Sequence, residues 1–189
     1  MNHQNTDIAL SIAGSDPSGG AGIQMDLRVF CRHELIGTTV LTALTAQSPD
    51  AVTSVVGLET EFVADQLATL QKAYAVGAAK TGMLWSAPIV HAVTETVSEA
   101  SFPVVVDPVM VATSGARLLA PDAIAAYREG LLPRATVATP NLDEAALLLD
   151  REEIPRHSMV DCARALSDRY GCAFLLKGGH LDGDPVDIL

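Results

Sequence analysis

The feature of this chain that most limits its fold is an alternation. Short β-branched or apolar runs end at Gly, Pro, Asp or Lys and give way to longer segments with helical spacing. The first run, Ile8 to Ala13, breaks at Gly14-Ser15-Asp16-Pro17-Ser18-Gly19-Gly20, after which Ile23, Leu27 and Phe30 recur on one helical face. Further strands are expected at Thr38 to Ala43, Val52 to Leu58, Val76 to Lys80, Val104 to Asp107, Thr136 to Thr139 and Ala173 to Lys177. Between them the spacing predicts helices at Phe62 to Tyr74, Ala87 to Glu99, Pro121 to Glu129, Leu142 to Leu149 and Met159 to Tyr170, with Pro88 and Pro121 at tolerated first-turn positions. Runs as apolar as Val104-Val105-Val106 and Ala173-Phe174-Leu175-Leu176 are expected to be buried on both faces, as in a parallel sheet covered by helices. The expected fold class is therefore α/β, a mostly parallel central sheet with helices on both faces, in one domain over residues 1–189.

Composition narrows the partners. A chain of 189 residues with 49% apolar content has a sizeable core to bury, and a formal charge of −11 lacks the basic footprint of a nucleic-acid binder. Cys31, Cys162 and Cys172 are scattered without a C-x-x-C pair, which argues against a disulfide framework or a zinc site and fits a reducing cytoplasm. The apolar stretches are interrupted well short of a membrane span, and MNHQNTD has no signal-peptide pattern, so neither membrane nor export is expected.

In a sheet of this kind ligands bind outside the carboxyl ends of the strands, and here the residues just after the strands are polar. The turn Gly14 to Gly22 brings backbone N–H groups to a helix N-terminus, suited either to a ligand or anion or simply to a tight βα turn. It matches neither standard nucleotide fingerprint: Met25 stands where G-x-G-x-x-G needs its last glycine, and Gly19 is followed by Gly20 where the Walker form needs Lys. Asp107 closes an apolar strand and Pro108 turns the chain away, leaving a carboxylate for Mg²⁺ or for its own turn. Asn141 and Glu144 have capping-box spacing but fall after a strand near Asp107. Lys177-Gly-Gly-His180 would put an ammonium at the same edge, with glycines that let phosphate oxygens approach. Gln47 follows the strand-like Leu41 to Ala46, and its amide suits the edge of a nitrogen heterocycle. His3, His33, His91, His157 and His180 show no metal spacing, and neither Ser15 nor Ser18 has a nucleophile elbow around it, so hydrolase chemistry is not supported.

The stretches ALSIAGSDPSGGAGIQMDLRVF, TVLTALTAQ, KTGML, VVVDPVMVATSG, LLPRATVATPNLDEAALLL and FLLKGGH resemble, in order and spacing, the hydroxymethylpyrimidine/phosphomethylpyrimidine kinases of thiamine biosynthesis, members of the ribokinase-like group. The resemblance runs from Ala9 to His180. It implies an ATP-dependent kinase acting on the hydroxymethyl group of 4-amino-5-hydroxymethyl-2-methylpyrimidine and then on the monophosphate. It also implies Ala21, Asp26 and Gln47 as substrate contacts, with Met83 and Val109 packed on the ring. Asp107, Asn141 and Glu144 would organise Mg²⁺ and phosphates, Asp107 and Glu144 as the metal carboxylates, and Lys177 would neutralise charge on ATP. Lys177 and Asp107 are the residues this assigns to catalysis, in a reaction that needs mostly positioning and electrostatics. Homodimers are usual in the family.

Two departures stand out. Ser48-Pro49 follows TAQ where the family commonly has Asn-Thr, and no Gly-Thr-Gly occurs in the 189 residues although members carry a Gly-Thr-Gly-Cys anion-hole loop after K-G-G-H. The expectation is therefore an incomplete kinase chain. The alternatives are a non-catalytic pyrimidine-binding module, which would bind pyrimidine without forming ADP, and a pyridoxal or pyridoxine kinase, against which TAQ and KTGML speak.

Overall fold

The computed structural model describes residues 8–110, 121–179 and 184–189; MNHQNTD with His3, the VATSG end of the DPVM segment, and His180 lie outside them. The first unit is as expected: β1 (Ile8–Ser15), a glycine-rich turn, and α1 (Gly22–Arg32). There follow β2 (Ile36–Gln47), β3 (Val52–Gly57), α2 (Thr60–Ala73), β4 (Ala78–Thr81), α3 (Ala87–Ser98) and β5 (Val104–Val106). After them come α4 (Pro121–Ala126), which runs into a π-helical turn at Tyr127–Leu131, then β6 (Val137–Ala138), α5 (Leu142–Leu148), α6 (Met159–Tyr170), β7 (Ala173–Phe174), β8 (Leu176–Lys177) and β9 (Asp187–Ile188).

Seven strands form one sheet in the order β3-β2-β1-β4-β5-β6-β7, parallel except for the antiparallel β2–β3 pair. From β1 the chain first builds outward through β2 and β3, then returns to the other side of β1 with β4. The β1/β4 boundary is thus the point where the strand order reverses, and a crevice opens there at the carboxyl ends. Leu10, Ile12, Val40 and Ala79 enter a core with Val63 and Leu67 of α2 and Ile89, Val90 and Val93 of α3. Ser11 of β1 instead bonds Asp26 of α1, so helices cover both faces.

Three expectations needed correction. Ala173 is exposed and Leu175 only half-buried, because β7 is the outermost strand of the described sheet and lacks a neighbour on one side. The chain also breaks at Leu175, whose N–H bonds the Ala138 carbonyl, so Leu176–Lys177 pairs antiparallel with Asp187–Ile188 in a separate ribbon. Finally, the strand expected at Thr38 to Ala43 and the strand-like run Leu41 to Ala46 are one strand, β2, which takes in Gln47 because its second half pairs with β3. Among the described residues no helix is long and apolar enough to cross a membrane.

Candidate active site

At the β1/β4 crevice lies a cavity of about 290 Å³, near the lower end of the roughly 300–1,000 Å³ usual for small-molecule sites. Its wall combines the end of β1 and its turn (Gly14 to Asp16, Ala21), the end of β2 (Thr45, Gln47), the β4 region (Lys80, Gly82, Met83) and the β5 end (Asp107, Val109). Each strand that meets at the switch point therefore contributes.

The glycine-rich turn is built around its own anion. Asp16, 2% exposed, accepts from the Ser18 N–H and hydroxyl on Oδ1 and from the Gly20 and Ala21 N–H groups, at 3.0 and 2.8 Å, on Oδ2. Burial opposes its charge, but the bonds from Ser18, Ala21 and Gly20 outweigh burial and hold the carboxyl below its ordinary value. The expectation of bare backbone donors here is corrected: these N–H groups are already taken, and Ala21 borders the cavity without offering its own. The sequence reading passed over Asp16, although Asp-Pro-Ser-Gly is a turn signal in which Asp bonds the backbone ahead of it.

Gln47, the last residue of β2, lies beside Thr45, whose hydroxyl is 2.8 Å from the Ser15 carbonyl and 3.2 Å from Gln47 Oε1. Ser48-Pro49 begin the turn to β3, closed by the Ser48 N–H on the Ala51 carbonyl. Met83 is held by its carbonyl, which accepts from the buried Thr42 hydroxyl. Asp26 is the exception among the expected substrate contacts. It does not line the cavity; its carboxylate is bonded by Ser11 and by both-oxygen contact with Lys80, which does.

Asp107 joins the cavity to a second group. Its Oδ1 accepts from Lys177 Nζ at 2.9 Å and from the Thr139 hydroxyl at 3.1 Å. Lys177 stands on β8, in a parallel bridge with Asn141. Asn141 caps α5 in a full capping box: its side chain accepts from the Glu144 N–H, and Glu144 Oε2 accepts from the Asn141 N–H at 2.9 Å. Glu144 Oε1 reaches the Met110 N–H as well. Burial of Glu144, reinforced by Asp107 and only partly offset by the Asn141 bond and by Lys177, pushes its carboxyl up to about 7. Asp107, Asn141, Glu144 and Lys177 are thus one connected cluster, although no group of three or more metal-binding side chains of His, Cys, Asp or Glu occurs among the described residues.

The pattern that defines the phosphomethylpyrimidine kinase family matches residues 16–189. A hydroxymethylpyrimidine/phosphomethylpyrimidine kinase of Rhizobium meliloti is 46% identical over 97% of this chain, which spans 70% of that protein's length. The crystal structure of the phosphomethylpyrimidine kinase of Clostridium difficile superposes with a TM-score of 0.86 at 36% identity, covering 96% of this chain and 79% of the other. The pyridoxal kinase of Staphylococcus aureus, solved with AMP-PCP and pyridoxal, gives 0.83 at 34% identity, covering 96% and 66%. With a family match over most of its length, this chain belongs to the hydroxymethylpyrimidine/phosphomethylpyrimidine kinases, phosphotransferases of thiamine biosynthesis.

Proposed function

We propose that the chain carries the pyrimidine pocket and the phosphate-organising residues of an ATP-dependent kinase. Its substrates are 4-amino-5-hydroxymethyl-2-methylpyrimidine, at the hydroxymethyl group, and then the monophosphate, in a cytoplasmic homodimer. The observation that carries this reading is the cavity at the strand-order reversal, lined by Ala21, Gln47, Met83 and Val109 and opening on Asp107 with its Lys177 partner. In this reading Gln47 reads the ring edge, while Ala21, Met83 and Val109 pack on the ring. Lys177 exchanges Asp107 for ATP phosphate oxygens, which frees Asp107 at the reacting hydroxyl. Asn141 and Glu144 order the nucleotide side.

Asp107 and Glu144 offer hard oxygen donors of the kind Mg²⁺ takes, one or two carboxylates with water and phosphate completing the shell. Each Glu144 oxygen accepts one backbone N–H bond, which orients the carboxylate and leaves each oxygen a further lone pair for the ion or its waters. When bound, the ion would spread the phosphate charge that develops in transfer.

The test combines calorimetric binding with mass spectrometry of the pyrimidine products after incubation with ATP. Pyrimidine binding by this chain is the expected result, with mono- and diphosphate formed in sequence by protein that also carries the family's Gly-Thr-Gly-Cys loop. Gln47→Ala is expected to weaken pyrimidine binding by roughly 1–3 kcal/mol by leaving polar ring atoms unpaired. Lys177→Ala is expected to weaken ATP binding and spare the pyrimidine. Binding without ADP formation even with that loop present would leave only a binding module, and no pyrimidine binding at all would overturn the reading.

A further inference from the structure

Lys80 was given no role by the sequence pattern, yet it lines the cavity. It stands on β4 opposite Ser11 of β1, and both side chains reach Asp26 on α1. The Lys80 ammonium lies 3.1 Å from Oδ1 and 3.0 Å from Oδ2 of Asp26, while the fully buried Ser11 hydroxyl donates to Oδ2. An ammonium has three N–H donors. Asp26 takes two, and among the described residues Lys80 has no third partner. Gly82, another lining residue, leaves the approach to the ammonium open: a Cβ there would stand 3.0 Å from Nζ.

Charge decides what the third donor suits. Asp26 already balances the ammonium, Asp107 lines the same cavity, and the Asp16 carboxylate is consumed by its own turn. A phosphate would find little net positive potential here, whereas a neutral acceptor needs none. Gln47, Ser15 and Thr45 can each donate or accept, and Asp107 when ionised only accepts. Lys80 is the lining side chain restricted to donating. An aminopyrimidine presents an exocyclic amino donor and ring nitrogens that only accept.

We propose that Lys80 contacts the substrate and donates its third N–H to a ring nitrogen, with Asp26 and Ser11 as positioning residues that hold the ammonium in place. This rests on the pyrimidine reading of the cavity. It also gives Asp26 a way of acting on the substrate without touching it.

The experiment is calorimetric titration of the wild-type protein and Lys80→Met with the hydroxymethylpyrimidine. Two analogues, in each of which one ring nitrogen is replaced by C–H, complete the set. Loss of a hydrogen bond from a charged donor predicts a Kd roughly ten- to a hundred-fold weaker for Lys80→Met. One analogue is expected to show a similar loss on the wild type and almost none on the variant, a coupling that a purely structural role for Lys80 would not produce. Asp26→Asn, which keeps the shape and one acceptor oxygen, is titrated in the same way. It is expected to show the same coupling more weakly, and it serves as the test if Lys80→Met does not fold. If the wild type fails to bind the pyrimidine, the reading of the cavity falls and the inference with it. If the wild type binds but Lys80→Met binds within twofold, or neither analogue couples to position 80, the inference alone is overturned.

Discussion

Asp16 shows how a side chain that need never meet the ligand can shape a site. Its carboxylate supplies the anion at the start of α1, so the turn closes around itself and does not wait for a phosphate. That closure needs backbone to pass very near backbone at Gly22. Its φ is +58°, and a Cβ there would stand 2.5 Å from the Gly14 carbonyl oxygen and 3.0 Å from the Asp16 nitrogen. Neither contact is with a flexible side-chain end, so the turn itself must move to admit a methyl group. Gly22→Ala is expected to destabilise the protein by roughly 2–4 kcal/mol, combining a left-handed non-glycine residue with the clash. Urea unfolding would measure this, and a midpoint equal to wild type would show that the turn is not closed in this way.

At the scale of the element, α5 does two jobs with one residue. Glu144 at its third position completes the capping box and also faces Asp107. Capping-box spacing was legible in the sequence, but the burial that raises the carboxyl depends on Met110 and the β5 end folding over it, which spacing does not encode. The consequence is a pH dependence of stability. With the folded value raised from 4.5 to about 7, the folded protein keeps a proton that the unfolded chain has released across that interval. Stability therefore falls as pH rises from about 4.5 to about 7, by up to about 3 kcal/mol from this group, and levels off above. Glu144→Gln keeps a capping-box residue and removes the titration. Denaturant unfolding across this range is expected to show a downward slope in the wild type that is absent from the variant, and an unchanged slope in Glu144→Gln would assign it elsewhere.

For the molecule as a whole, the strand–helix alternation gave away the α/β class because each apolar run and helical face is a local pattern. The choice of edge strands is not local: Ala173-Phe174-Leu175-Leu176 reads like a central strand, and only the sheet order puts it outermost. The same limit applies to the site. Gln47 and Asp107 were legible at strand ends and Met83 and Val109 only through the family resemblance, whereas Lys80, expected as the last residue of its strand, sits inside β4 and reaches the cavity because β4 lies beside β1. Sheet order also exposes β3, the other outermost strand. Neither β2 nor β3 contains a charged residue, in a chain that is 19% charged with a net charge of −11. Leu44 and Val56, cross-strand partners in this ribbon, are 45% and 61% exposed. Sheet edges that stay in water are ordinarily blunted with charge or proline, and this one is not. Two copies carrying the same negative charge would meet with least repulsion at such a charge-free ribbon, which favours a second copy of this chain as its cover. Val56→Lys would put an ammonium in the middle of that contact while leaving the exposed strand position tolerable in the monomer. Sedimentation velocity is expected to give the mass of two chains for the wild type and one for Val56→Lys, with pyrimidine binding retained by both; a wild type that sediments as one chain at micromolar concentration would exclude the ribbon as an interface between copies.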